Sequence, residues 1–153
     1  MKHVRRAFLF FILFAITECA TAQNNNYDST LAKKLQADEY GMKSYILVIL
    51  KAGSSTDTSK AIRTTAFQGH MANINKLAAE NKLVVAGPMG ENDKHYEGIF
   101  VFNTADINEA KQWVSSDPAI QAKYLDVEFY PWYCTAALQQ IPALHEKVAK
   151  TKF

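Results

Sequence analysis

The run Ser44-Tyr-Ile-Leu-Val-Ile-Leu50 constrains the fold more than any other part of this chain. Beyond Ser44 it is aromatic or aliphatic throughout, rich in β-branched residues, and free of Gly, Pro, Asn and Asp. That pattern reads as a strand apolar on both faces, not as an amphipathic element. Such a strand belongs inside a sheet, so the remaining chain has to supply neighbouring strands and cover for each face.

Residues 53–58 (Gly-Ser-Ser-Thr-Asp-Thr) form a loop. Phe67, Met71, Ile74, Leu77 and Ala78 then recur at helical spacing up to Asn81, which suits a C-cap because Asn tolerates the left-handed conformation. Residues 83–89 read as a second strand halted by Gly87-Pro88, and residues 96–102 as a third; the polar loop 90–94 joins them into a hairpin. Asp106 followed by Glu109 resembles a capping box, and Ile107, Ala110, Trp113 and Val114 line one face of the helix it opens. That helix stops at Asp117-Pro118. The fourth strand, 124–130, is ended or confined to a sheet edge by Pro131.

The central order is therefore β-α-β-β-α-β, an α+β, ferredoxin-like arrangement with a four-stranded antiparallel sheet. Its two helices cover one face of the sheet. The other face would stay bare, and a bare apolar face of that size points to a homodimer. Residues 42–133 make up this domain, and 134–153 form a helical extension from Ala136 that carries Leu138, Ile141, Leu144 and Val148. Residues 23–41 comprise an Asn-rich linker and a short helix over 29–38 with Leu31 and Leu35 four apart.

Residues 1–22 read as a cleavable signal peptide. Lys2, Arg5 and Arg6 precede an apolar run over 7–16, and Ala20 and Ala22 frame an Ala-x-Ala site. Ten residues of helix reach about 15 Å, half a bilayer core, so the run is too short for a membrane span. Lipidation at Cys19 is the rival reading, and Glu18 argues against it by placing a charge beside the processing site. The mature protein is thus expected to be exported, periplasmic or secreted, with no stable membrane insertion.

Removing those residues takes three of the 17 basic and one of the 15 acidic side chains, which leaves 14 of each. A neutral domain gives no electrostatic reason to expect nucleic acid as a partner. Cys134 is then the one cysteine left, so no internal disulfide can form and stability rests on packing, for which 48% hydrophobic composition suffices.

His70 follows Phe67 by three and precedes Ile74 by four, which puts it on the apolar stripe of the first long helix. An imidazole there needs a polar partner, since an unsatisfied one costs about 1–3 kcal/mol. Asp117, at the end of the second helix on the same side of the sheet, is the candidate. A His so oriented serves as general base or acid. Ser115 and Ser116 lie beside Asp117 and can donate to it, as helix-end serines do. Gly87-Pro-Met-Gly90 lacks the Gly-Lys-Ser/Thr ending of a phosphate loop. His95 and His145 have no second ligand at metal spacing, so no metal site is read. Phe129, Tyr130, Trp132 and Tyr133 cluster near the end of the last strand as pocket wall, core or dimer contact.

The stretch Gly69-His-Met-Ala-Asn-Ile-Asn-Lys-Leu-Ala-Ala-Glu-Asn-Lys-Leu-Val-Val-Ala-Gly-Pro-Met89, then Ala110 to Trp113 and Ser116-Asp-Pro118, resembles the YCII-related family: a His near a helix start, an Ala-Gly-Pro strand end, and an Asp-Pro closing the second helix. The likeness covers residues 45–133. Asp38-Glu-Tyr-Gly-Met-Lys43 and Pro131-Trp-Tyr133 resemble features of an exported subgroup. The resemblance implies a protomer that dimerises into an α/β barrel, with His70 and Asp117 as the catalytic pair. The wider superfamily includes muconolactone isomerases, dehalogenating enzymes and monooxygenases without cofactor. Asn81 stands where the family pattern has Gly, and Ala119 where many members carry a large aromatic. The functional expectation is a small-molecule enzyme working by His/Asp proton transfer without a cofactor, with Gly87, Pro88 and Ser116 on the substrate side. The alternative is a binding or accessory protein that uses the same cleft.

Overall fold

A computed structural model describes residues 25–151; the expected signal peptide lies outside the described residues. The elements are α1 (Ser29–Lys34), β1 (Met42–Ala52), α2 (Lys60–Ala79), β2 (Leu83–Pro88), β3 (Tyr96–Phe102), α3 (Ile107–Ser115), α4 (Pro118–Gln121), β4 (Leu125–Thr135), a 3-10 turn (Ala136–Gln140) and α5 (Ile141–Val148). The four strands form one antiparallel sheet in the order β2-β3-β1-β4. β1 is interior, as its two-faced apolar run requires: Ile46 and Val48 enter the core under the helices, while Tyr45 is buried on the opposite face.

Between sheet and helices, Ile46, Val48, Leu50, Leu83, Phe100, Phe102 and Leu125 pack against Leu77, Ala110, Val114 and Ala119. α2 starts seven residues before the Phe67 stripe, because Ser59 caps it by accepting from the Ile62 amide at 3.4 Å. Its end matches the sequence reading. Asn81 takes φ +55°, with Lys82 N donating to Leu77 O and Asn81 N to Ala78 O, a Schellman turn.

Four expectations are corrected. The N-terminal helix ends at Lys34, not Asp38: Gln36 turns left-handed at φ +56°, and Asp38 instead accepts from the Tyr40 and Met42 amides, each at 2.9 Å. The capping box is not reciprocal. Asp106 accepts from Asn108 N at 2.8 Å, but Glu109 takes the Thr104 hydroxyl at 2.6 Å. β4 does not end at residue 130 but runs on to Thr135; of the two outcomes expected of Pro131 it is the edge placement that holds, since the outer N–H positions of an edge strand have no partner strand to lose. Lastly, the second sheet face is partly covered. The 3-10 turn packs on β1 and β2 and α5 on β2, and Leu138 joins Tyr45, Val84 and Val101 in a second small core.

A polar tie joins these terminal segments to the sheet. Lys43 Nζ donates to Gln36 at 2.8 Å and to Asn103 at 2.9 Å, and Gln139 Nε2 donates to Leu35 O at 2.6 Å. The Tyr133 hydroxyl donates to Asp38.

Candidate active site

α2 and α4 approach closely because residue 69 is glycine: a Cβ there would lie 2.6 Å from Pro118 Cγ. That approach sets His70, next along α2, against Asp117, the N-cap of α4. The Asp-Pro pair thus starts a further helix of one turn, with Pro118 at a first-turn position whose N–H would be orphaned anyway. Asp117 Oδ1 accepts from Ala119 N at 3.0 Å and Ile120 N at 3.4 Å, and Oδ2 lies 2.7 Å from His70 Nδ1.

An ionised carboxylate can only accept, so beside it the neutral imidazole donates through Nδ1–H and carries its lone pair on Nε2. Phe100 stacks on the imidazole at 5.7 Å, and Phe67 meets it edge-on at 5.8 Å. Asp117 is fully buried and His70 keeps 7% of its exposure. Among the described residues Nε2 has no hydrogen-bond partner, and it is not among the wholly buried unpaired side-chain atoms. Held in this way, the ring is fixed in tautomer and orientation with its acceptor nitrogen reaching the surface of the chain.

Asn73 is the site residue the sequence reading missed. Its amide donates to Asp117 Oδ2 at 3.4 Å, and the Ser116 hydroxyl donates to its carbonyl at 3.3 Å. The spacing 70/73 on one helix face was the available signal. Ser116 therefore touches the dyad through Asn73, its single hydroxyl proton being shared between Asn73 Oδ1 and the nearer Trp113 O at 2.9 Å. Ser115 donates to Gln112 O, not to Asp117. Gly87 and Pro88 lie in the β2–β3 ladder opposite Ile99 and Gly98; among the described residues no hydrogen bond joins them to the dyad. A shallow apolar groove of about 550 Å³ is lined by Ala61, Ile62, Thr65, Ala66, Gly69 and Pro118. It flanks the sequence neighbours of His70 and Asp117 without including either.

Elsewhere, Phe129 packs under the helices, whereas Tyr130 and Trp132 project from the opposite face, 47% and 36% exposed. His95 occupies the β2–β3 loop at φ +54°.

The sheet order and element sequence define a ferredoxin-like α+β domain with a His-Asp pair between its first long helix and a helix N-terminus. The YCII-related domain model matches residues 44–133, more than half of the chain, and the chain belongs to that family. No curated protein matches. One similar solved structure is 5-chloro-2-hydroxyhydroquinone dehydrochlorinase (TftG) from Burkholderia phenoliruptrix AC1100, in complex with 2,5-dihydroxybenzoquinone. It is 22% identical, with a TM-score of 0.41, over 57% of this chain and 92% of that one.

Proposed function

We propose that this protein is an exported YCII-related enzyme that moves a proton on a small organic molecule without a cofactor, as in isomerisation, lyase-type elimination or dehalogenation. The supporting observation is the 2.7 Å bond from His70 Nδ1 to a buried, helix-capping carboxylate, with Nε2 left as acceptor. His70 is the base or acid, Asp117 its orienter, and Asn73 and Ser116 steady the carboxylate. Gly87 and Pro88 belong on the substrate side of the proposal. Proton transfer by a positioned group is worth about 10²–10⁴-fold in rate.

The second reading, a binding or accessory protein without turnover, is favoured by one observation: His70 is 93% buried, and neither the groove beside Gly69 and Pro118 nor the hollow lined by Gly53, Ser54, Ile120 and Lys123 contains the dyad. A thermal-shift screen of small organic acids, phenols and lactones, followed by NMR of each hit for turnover, separates the two. The enzyme reading expects a converted hit whose rate falls at least about 100-fold in His70→Ala and in Asp117→Asn. Hits that bind unchanged in both variants and are never converted overturn it.

The assembly proposed is a homodimer through the part of the second sheet face that the C-terminal segment leaves open. There Ile49 and Ile99 are half-buried beside the exposed Tyr130 and Trp132. A second copy supplies the same apolar surface in return, as a two-fold interface requires.

A further inference from the structure

Along α5 the apolar residues Ile141, Leu144 and Val148 fall at i, i+3 and i+7, the spacing by which a helix turns one face to a core. Here that face meets no core. The three side chains are 38%, 55% and 79% exposed, and from Ile141 to Lys150 only Pro142 and Ala149 are even half-buried. A helix of eight residues is marginal without packing, so a stripe of this kind calls for cover that the described residues do not supply.

A second uncovered surface lies on the same side of the sheet. α5 follows the 3-10 turn, whose Leu138 packs with Tyr45, Val84 and Val101, and it lies against β2, the edge strand furthest from β4. On β4, Trp132 stands opposite Tyr45 and Tyr130 opposite Leu47, so both project from the face that Tyr45 occupies. They are 36% and 47% exposed. One half of this face thus carries an apolar helix with nothing on it, and the other an apolar strand with no helix. Three strand spacings separate β2 from β4 by about 14 Å, room for two helices side by side at about 8–10 Å. A two-fold axis along the strands sets each β2 half over the partner's β4 half.

The charges agree with that pairing. Asp126 and Glu128 flank the bare half and share Lys51, whose Nζ lies 2.6 Å from Glu128 and 3.7 Å from Asp126; the Asp126 side chain stays 65% exposed. Around the end of α5, Lys147 and Lys150 outnumber Glu146, and neither lysine is in an ion pair among the described residues. Opposite charge at the two rims favours helix on strand.

We infer that α5 is an exchanged cover: in the homodimer its stripe of Ile141, Leu144 and Val148 lies on the partner's Tyr130 and the partner's Trp132, and the partner's α5 returns the contact. The inference rests on the homodimer proposed above and names the segment that closes it. The apolar surface that each copy offers is then the stripe and the bare strand together.

Light scattering on the mature protein tests this with Leu144→Gln and Trp132→Glu, alone and mixed. Both replace exposed side chains, and far-UV circular dichroism checks that each variant folds; Val148→Gln repeats the α5 arm at a more exposed position. Each variant alone should dimerise at least about tenfold more weakly than wild type. An equimolar mixture should form dimers at a concentration where neither variant does, because the intact helix of one copy meets the intact strand of the other. Leu144→Gln and Val148→Gln that dimerise like wild type overturn the exchange; if Trp132→Glu does not, the homodimer itself stands. Weakened variants that fail to complement when mixed also overturn it, since helix and strand then do not meet across the interface. A wild type that is monomeric at about 100 µM overturns the dimer and the exchange together. Sedimentation with phosphatidylglycerol vesicles covers the rival occupant: Leu144-dependent binding by a protein whose dimer ignores Leu144 gives the stripe to a lipid surface and overturns the proposal.

Discussion

Asp117 divides its two oxygens between two tasks: Oδ1 caps α4 through the Ala119 and Ile120 amides, and Oδ2 holds His70 and Asn73. Removing the carboxylate therefore has two separable costs. Losing an N-cap is worth about 1 kcal/mol, and leaving a buried imidazole N–H unpaired about 1–3 kcal/mol. Asp117→Ala should lower unfolding free energy by about 2–4 kcal/mol in urea titrations, while Asp117→Asn, which keeps an acceptor for the cap, should lose about half as much. An Ala variant within about 0.5 kcal/mol of wild type would mean that neither bond contributes. At this scale the sequence was informative about His70, because a polar ring on an apolar stripe demands a partner. It was silent about Tyr124, whose ring lies 6.2 Å from that of Phe67, because nothing in the spelling of residues 117–125 tells that the turn after α4, with Lys123 at φ +57°, carries the ring there. Asn73 was overlooked because a polar side chain on a helix looks like surface, even three residues from His70 on the same face.

The elements that the sequence placed well are those whose periodicity faces one packed neighbour. β1, β2, β3 and the end of α2 fall where apolar runs and Asn81 put them. The missed boundaries lie where local polar chemistry or tertiary cover decides. Asp38 is the example: it leaves helix α1 to gather the Tyr40 and Met42 amides and the Tyr133 hydroxyl, which joins the segment before β1 to the end of β4. This latch has a defined pH window. The Tyr133 hydrogen bond, then the backbone amides, hold the Asp38 carboxyl below its ordinary value, so its contribution is full above about pH 4 and is lost as pH falls through the lowered pKa. The same bond pushes Tyr133 up to about 12, so its contribution is full below the ordinary tyrosine pKa near 10 and is lost as pH rises from there to about 12. Alkaline titration of tyrosinate absorbance, wild type minus Tyr133→Phe, should give one tyrosine ionising near pH 12. A difference curve centred near 10 would mean the latch does not persist in solution.

For the whole molecule, the decisive feature is the two-faced strand β1. One of its faces is covered by α2, α3 and α4, and the other by the C-terminal segment over only part of its area. Sequence reasoning recognised that a second cover was needed but gave none of it to residues 136–148, because the apolar spacing of a short terminal helix does not say which surface it lies on. The remainder, around Tyr130 and Trp132, carries the dimer proposal. Trp132→Glu should convert a dimer to a monomer in light scattering with little change in far-UV circular dichroism, since Trp132 is partly exposed in the single chain. A monomeric wild type at about 100 µM would contradict the assembly. The functional account itself depends on how this fold presents a single nitrogen. Long-range ¹H–¹⁵N correlation of the imidazoles, on the neutral ring of His70, tests that most directly. The account predicts a protonated Nδ1 and an unprotonated Nε2, with the preference lost in Asp117→Ala. A proton on Nε2 in the wild-type protein would contradict it.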